Sequence, residues 1–163
     1  MIIVLDTTPL HYLILVKQEE ILPALFGEII LPVAVATEMS HERAPAEVSK
    51  WIESPPSWIH IKSPSAKALD SIRGLGKGET AGIALALEEK ADAILMDDRK
   101  AIREARNSGL VVLTTLAILE LAAIKNLIDF PGVLHDLAQT SFRLPADEII
   151  DEALARVQTR KAE

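Results

Sequence analysis

The chain has 163 residues, with 24 Asp and Glu against 17 Lys and Arg, a formal net charge of −7 and no cysteine. A length near about 150 residues favours a single domain, and a hydrophobic content of 49% excludes a wholly disordered chain. The lack of cysteine excludes disulfide bonds, iron–sulfur clusters, thiolate zinc sites and a cysteine nucleophile.

The sequence predicts neither a secretory signal nor a membrane-spanning segment. The N-terminal segment MIIVLDTTPL has no basic stretch and soon reaches Asp6, so it does not resemble a secretory signal. No apolar run approaches the roughly 18 residues of a membrane span. We therefore expect a soluble, cytoplasmic protein. Its acidic excess argues against a partner held by charge alone, such as nucleic acid.

Short aliphatic runs predict strands that are buried on both faces, which is typical of a parallel sheet. Four runs stand out, at residues 2–5, 28–31, 93–96 and 110–113. Residues 58–61 are also apolar and predict either a short edge strand or an extended connection.

Segments with helical spacing separate these runs. Thr8 followed by Pro9 predicts an N-cap and the first helical residue, and Pro32 predicts the start of a second helix at 33–39. Further helices are predicted at 44–53, 65–72, 79–89, 99–107, from Thr114 or Thr115 to 125, at 131–139 and at 146–159.

Strands that alternate with helices predict an α/β fold. We expect three layers, α/β/α, around a central, mainly parallel sheet of four to five strands. No linker divides the chain, so residues 1–163 are predicted to form one domain. The amphipathic helix at about 146–159 is expected either to pack on this domain or to pair with another subunit.

Five acidic residues are expected at one edge of this sheet. Asp6 directly follows the first strand, and Asp97 and Asp98 follow the strand at 93–96. Glu38 lies in the helix after Pro32, and Glu79 begins the helix after a glycine-rich loop. In a parallel α/β sheet, ligands bind at the carboxyl ends of the strands, and the helix N-termini lie at that same edge.

Carboxylates gathered in one cleft repel each other unless cations neutralise them. Their oxygens suit Mg²⁺ or Mn²⁺, and two such ions about 4 Å apart can activate a water and stabilise a leaving oxygen. The pattern therefore predicts a metal-dependent site for phosphoryl transfer. Taken singly, each carboxylate also has a structural explanation, as a turn residue, a helix cap or a solvated side chain. Only their convergence favours a site.

Two further features have weaker signals. The basic cluster of Arg99, Lys100, Arg103 and Arg106 is either a solvated helix face or a contact for a phosphate backbone beside the acidic pair. The segment GLGKGET does not have the spacing of a P-loop. We interpret it as a tight entry to the next helix, with Lys77 near a substrate phosphate. The four histidines have no metal-ligand spacing.

Four segments together resemble a known family. They are VLDTTPL, PVAVATEM, LGKGETAGIALALEEKADAILMDDRKA and LVVLTTLAILELA. The chain resembles a PIN domain from its N-terminus to about residue 156, and within that family it is similar to small prokaryotic proteins related to VapC-type toxins. The combination of LGKGE with LMDDRKA is the specific part of this resemblance.

The resemblance implies a ribonuclease that depends on Mg²⁺ or Mn²⁺. It implies Asp6, Glu38, Glu79 and Asp98 as catalytic metal ligands, with Asp97 as a further ligand. Either Thr7 or Thr8 matches the polar position after the first aspartate, and either Thr114 or Thr115 the polar position after the last main strand, where they could hold water on the metal. With two basic residues they complete the predicted substrate contacts: Thr7, Thr8, Lys77, Arg99, Thr114 and Thr115. The resemblance also implies a homodimer and, for toxin members, a small antitoxin that blocks the cleft.

An alternative from another class is a module that keeps the fold but catalyses weakly. The acidic charge and the aromatic content of only 4% favour it, because few rings are available to stack on bases. Titration with Mn²⁺ would discriminate between the two hypotheses.

Overall fold

A five-stranded, wholly parallel sheet lies at the centre of the computed structural model, which describes residues 1–163. In the order β3-β2-β1-β4-β5, its strands are β1 (Ile3–Leu5), β2 (Ile29–Pro32), β3 (Ile59–Lys62), β4 (Ala93–Leu95) and β5 (Val112–Leu113). The predicted parallel sheet is confirmed, and the apolar segment at 58–61 contributes its edge strand.

Ten helices connect and flank these strands. They are α1 (Thr7–Leu15), α2 (Ile21–Phe26), α3 (Val33–Met39), α4 (Ala46–Glu53), α5 (Ala66–Asp70), α6 (Lys77–Glu88), α7 (Arg99–Asn107), α8 (Thr115–Ile124), α9 (Phe130–Ala138) and α10 (Asp147–Ala162). None of them combines the length and the apolar character that crossing a bilayer requires.

The strand side chains alternate between two hydrophobic cores, one on each face of the sheet. In β1, Ile3 and Leu5 belong to the larger core, which α1–α4 and α8–α10 cover, whereas Val4 belongs to the smaller core under α5–α7. This alternation follows from the period of two along a strand. The three-layer α/β/α architecture is therefore confirmed.

The chain reverses its direction of travel across the sheet beside the central strand. From β1 it proceeds to β2 and β3 on one side, then crosses to β4 on the other side of β1 and ends at β5. The connections that follow β1 and β4 therefore diverge. In open α/β sheets such a switch point leaves a crevice at the carboxyl ends of the strands, where ligands bind.

The predicted start of the first helix is wrong by two residues. Asp6 is the N-cap, with an extended ψ of 172°, and α1 begins at Thr7 rather than after Thr8. Pro9 lies within the first turn, where a backbone N–H has no helical partner and its absence costs little. The short helix α2 has only 6 residues and was not predicted, because a segment of that length shows little periodicity.

The C-terminal helix packs on the body of the molecule. Ala153 and Val157 of α10 are buried, and the Arg156 Nε donates a hydrogen bond of 2.8 Å to Glu120 of α8. The helix continues to Ala162, beyond the predicted end near 159. Of the two expectations for this segment, packing within the chain describes the structure.

Candidate active site

Asp6 lies at the switch point of the sheet. Its backbone N–H donates to the Leu95 carbonyl over 2.9 Å, which extends the pairing of β1 with β4 by one residue. The residue is only 4% exposed. Strand pairing therefore fixes the position of this carboxylate at the carboxyl edge, between the two strands whose connections diverge.

The surroundings of Asp6 strongly disfavour its ionised form. Burial, with a smaller contribution from the carboxylates of Glu79, Glu38 and Asp97, raises the pKa of Asp6 to about 7, although the backbone N–H of Thr7 opposes the rise. The three carboxylates come from separate elements, α6, α3 and the segment after β4. Carboxylates from three separate elements thus lie close enough to Asp6 to affect its ionisation.

Asp97 is held by the first residue of α8. The Thr115 backbone N–H donates to Asp97 Oδ1 over 2.9 Å, and the Thr115 hydroxyl donates to Asp97 Oδ2. Thr115 is fully buried. Burial raises the pKa of Asp97, whereas these two hydrogen bonds lower it. Two donors on one carboxylate restrict its orientation, so Asp97 is the more fixed of the two adjacent aspartates.

Asp98 has different surroundings from Asp97. Its side chain is exposed, and its Oδ1 accepts a hydrogen bond of 2.9 Å from the Ala101 backbone N–H as the N-cap of α7. An aspartate in this role satisfies a free N–H of the first turn. Asp98 is absent from the charges that raise the pKa of Asp6. Of the two adjacent aspartates, Asp97 is the one whose charge raises the pKa of Asp6, and Asp98 caps α7.

Glu38 reaches the site from the last turn of α3. Its Oε2 accepts a hydrogen bond of 2.8 Å from the Thr7 hydroxyl, which links α3 to the start of α1. The same carboxylate lies against Gly78 of α6, where a Cβ would come within 2.6 Å of Oε1. Space for the Glu38 carboxylate thus depends on the absence of a side chain at residue 78.

Glu79 lies in the first turn of α6, where the helix macrodipole favours a negative charge. Its Oε2 lies against Gly76, and a Cβ there would come within 2.5 Å of this oxygen. From the sequence, the glycines of GLGKGET predict only a tight entry to the helix. In the structure, Gly76 makes room for the carboxylate of Glu79, and Gly78 makes room for that of Glu38. Gly78 and Glu38 are forty residues apart, so the sequence gives no indication of their contact.

The other predicted substrate contacts surround this group without joining it. Thr8 is half-buried in the first turn of α1, and the Thr114 hydroxyl caps α8 by accepting from the Ala117 N–H. Lys77 and Arg99 are exposed and begin α6 and α7.

A family model described as a PIN domain matches residues 2–159 of the chain. The chain belongs to the PIN-domain family. The resemblance seen in the four sequence segments is therefore confirmed at the level of the family. Comparisons with curated proteins and with solved structures gave no match. PIN domains are nuclease-type folds and generally use divalent metal ions.

The donor set of this PIN domain fits a divalent ion in its chemistry. All four acidic side chains around the switch point offer carboxylate oxygens, which Mg²⁺ and Mn²⁺ prefer. The glycine positions that leave room for Glu38 and Glu79 point to the same use. The side chains themselves do not converge, since no three Asp, Glu or His residues are arranged to hold one ion. The Glu38 carboxylate instead accepts a hydrogen bond from the Thr7 hydroxyl, and the Asp97 carboxylate accepts one from the Thr115 hydroxyl.

Proposed function

We propose that this PIN domain is a metal-dependent endoribonuclease that hydrolyses phosphodiester bonds in RNA. The observation that carries the proposal is the buried Asp6, whose ionisation is opposed by three further carboxylates at the switch point between β1 and β4. Such a concentration of negative charge costs free energy, which a bound cation offsets. Family membership supports nuclease chemistry, and RNA as the substrate extends the resemblance to VapC-type proteins.

Asp6, Glu38, Glu79 and Asp97 are the proposed ligands. Bound Mg²⁺ or Mn²⁺ supplies the activation of water and the stabilisation of the leaving oxygen. The protein itself holds these ligands in position. Asp6 is fixed by strand pairing, Asp97 by Thr115 and Glu38 by Thr7.

The first experiment replaces Asp6 by Asn, which keeps the size of the side chain and removes its charge. Cleavage of RNA by the purified protein with Mn²⁺ or Mg²⁺ is expected to fall below detection. The control is Asp136→Asn, an exposed residue of α9, which should cleave like the unmodified protein. Undiminished cleavage by Asp6→Asn would contradict the proposed site.

A second pair of variants separates the two adjacent aspartates. Asp97→Asn removes a charge beside Asp6, whereas Asp98→Asn keeps an N-cap of nearly equal strength. Cleavage is expected to fall by at least about tenfold in Asp97→Asn, since loss of even a contact that supports a metal ligand costs about 10- to 100-fold. Asp98→Asn should retain most activity. The reverse order would restore Asp98 as the fourth ligand, as the family resemblance implied.

The alternative function, an interaction module that catalyses weakly, is favoured by one observation. The carboxylates do not converge as a ligand set in the structure. Calorimetric titration with Mn²⁺ distinguishes the two proposals. The nuclease predicts binding that Asp6→Asn abolishes, whereas the module predicts no binding at millimolar Mn²⁺.

The biological setting is also a proposal. The similarity to VapC-type proteins favours a cytoplasmic homodimer that acts as the toxin of a toxin–antitoxin pair, with a small antitoxin protein over the cleft. Expression in a bacterial host tests this role: the unmodified chain should arrest growth, and Asp6→Asn should not. Equal growth with both would contradict a toxin role without contradicting the nuclease chemistry.

A further inference from the structure

The exposed face of α7 carries an unusual charge for this acidic molecule. Four of its nine residues are basic, namely Arg99, Lys100, Arg103 and Arg106, and all four are exposed. The three ion pairs of the structure are His60–Glu28, Lys62–Glu89 and Arg156–Glu120, so none of them involves α7. Although the chain has 24 acidic residues, none of them forms an ion pair with these four cations.

Helix stability does not account for this arrangement. Arg99 and Lys100 occupy the first turn, where the macrodipole disfavours positive charge. Arg99 and Arg103 are four residues apart, and like charges at that spacing repel each other. The buried side of the helix is instead formed by Ala101 and Ala105. Arg99 and Lys100 therefore oppose the stability of the helix on which they lie, which favours a role in binding, whereas Arg106 lies in the last turn, where a cation is stabilising.

Three of the cations form a row. Arg99, Arg103 and Arg106 follow the spacing i, i+4, i+7, which places them on one face of a helix. The row extends over about 10 Å at a rise of about 1.5 Å per residue. A stacked nucleic-acid strand advances about 3.4 Å per nucleotide along its axis, so about three nucleotides match this length.

The row begins at the candidate active site. Arg99 follows Asp97 and Asp98 directly, and α7 starts where β4 ends. Lys100 leans toward the loop that leads to Glu79, since a Cβ on Gly74 would be 3.5 Å from Lys100 Nζ. A strand that leaves the carboxylates can therefore continue onto α7.

We infer that Arg99, Arg103 and Arg106 form a track for the phosphate backbone of single-stranded RNA that leads away from the carboxylate site. This inference rests on the proposed function for its ligand, RNA, but it concerns binding and not cleavage. Contacts to phosphates position a strand without reading its sequence. The track therefore predicts binding with little sequence preference and a strong dependence on salt.

The test measures binding of a fluorescent 2′-O-methyl RNA of about ten nucleotides, a length within the range of single-strand binding sites. A chelator removes the divalent ions that the proposed hydrolysis requires, and the 2′-O-methyl groups block attack by the ribose 2′-hydroxyl, so the probe stays intact. Anisotropy titrations between about 50 and 200 mM salt give the slope of log K against log salt concentration. The track variant is Arg99→Gln/Arg103→Gln/Arg106→Gln.

The control variant, Lys50→Gln/Lys67→Gln/Lys125→Gln, removes the same formal charge from exposed positions on or next to α4, α5 and α8. Each phosphate contact to a single strand contributes about −0.7 to the slope, so the track variant should lose about 2 from its magnitude. Its affinity at about 50 mM salt should fall at least about tenfold. The control should keep the slope, and a triple Arg→Lys track variant should keep most of it.

Several results would overturn the inference. They are an unchanged slope in the track variant, an equal loss in both triple variants, and no binding by the unmodified chain. An unchanged slope is the result expected if α7 binds an acidic protein and not RNA. Loss of the slope in a chain that cleaves no RNA would instead retain the track and reject the nuclease.

Discussion

At the scale of single residues, Asp6 makes the stability of the protein depend on pH. Its pKa in the folded chain is about 7, above the ordinary value of 3.8. The folded state therefore binds a proton more tightly than the unfolded state does. The resulting stabilisation is complete below about pH 4 and is lost as the pH rises through about 7.

Asp6→Asn should remove this dependence. With chelator present, the variant is expected to be more stable than the unmodified protein near pH 8, and the difference should shrink toward pH 4. The change is at most about 1.4 kcal/mol per pH unit, the value for one proton. Urea denaturation across this range measures it. Asp136→Asn should follow the unmodified protein, and a parallel curve for Asp6→Asn would refute the raised pKa.

Thr115 controls Asp97 through two donors, and one of them can be removed without changing the shape of the side chain. Thr115→Val deletes the hydroxyl and leaves the backbone N–H. We expect the unfolding free energy to fall by about 1.5–3 kcal/mol, the range for a hydrogen bond to a charged group. The pKa of Asp97 should rise, so Mn²⁺ binding should require a higher pH. Thr115→Ser should restore both properties, and failure of this rescue would argue for packing alone.

At the scale of elements, the sequence allowed most strands and helices to be predicted, because aliphatic runs and helical spacing are local signals. Asp6 and Asp97 could be placed at one edge since each follows a buried strand. The distinction between Asp97 and Asp98 could not be predicted. It depends on Thr115, which is 18 residues further along the chain and is brought close only by the pairing of β4 with β5.

The contact between α3 and α6 has a consequence for Gly78. Gly78→Ala should leave stability unchanged or raise it by up to about 1 kcal/mol, because alanine is the better helix former. The new Cβ would meet the Glu38 carboxylate, the movable end of an exposed side chain. Glu38 must then leave its bond to Thr7. RNA cleavage should therefore fall at least about tenfold while the Tm is maintained.

Gly82→Ala is the matched control for this change. It lies one turn further along α6, and a Cβ there would contact only Ile94 Cδ1, at 3.4 Å. It should change neither cleavage nor the Glu38 contact. Equal loss of activity in both variants would assign the effect to the packing of α6 on the sheet and not to Glu38.

At the scale of the whole molecule, the net charge of −7 conceals an uneven distribution. Negative charge is concentrated around Asp6, and a row of unpaired cations runs along α7 from the same edge. The acidic excess alone argues against a nucleic-acid partner. The uneven distribution of charge removes this objection, because a phosphate responds to the charges near it and a bound cation offsets the negative charge of the carboxylates.

A divalent cation should therefore stabilise the entire fold. An ion that binds only the folded state adds about 2.7 kcal/mol at 100 times its Kd. For a chain of this size, about 1 kcal/mol corresponds to about 2–4 °C, so Mn²⁺ should raise the Tm by about 5–10 °C. Scanning calorimetry with and without Mn²⁺ measures this shift. Asp136→Asn should retain it and Asp6→Asn should lose most of it, because neutralising Asp6 removes both a ligand and the repulsion that the ion relieves. An equal shift in both variants would locate the bound ion away from the switch point.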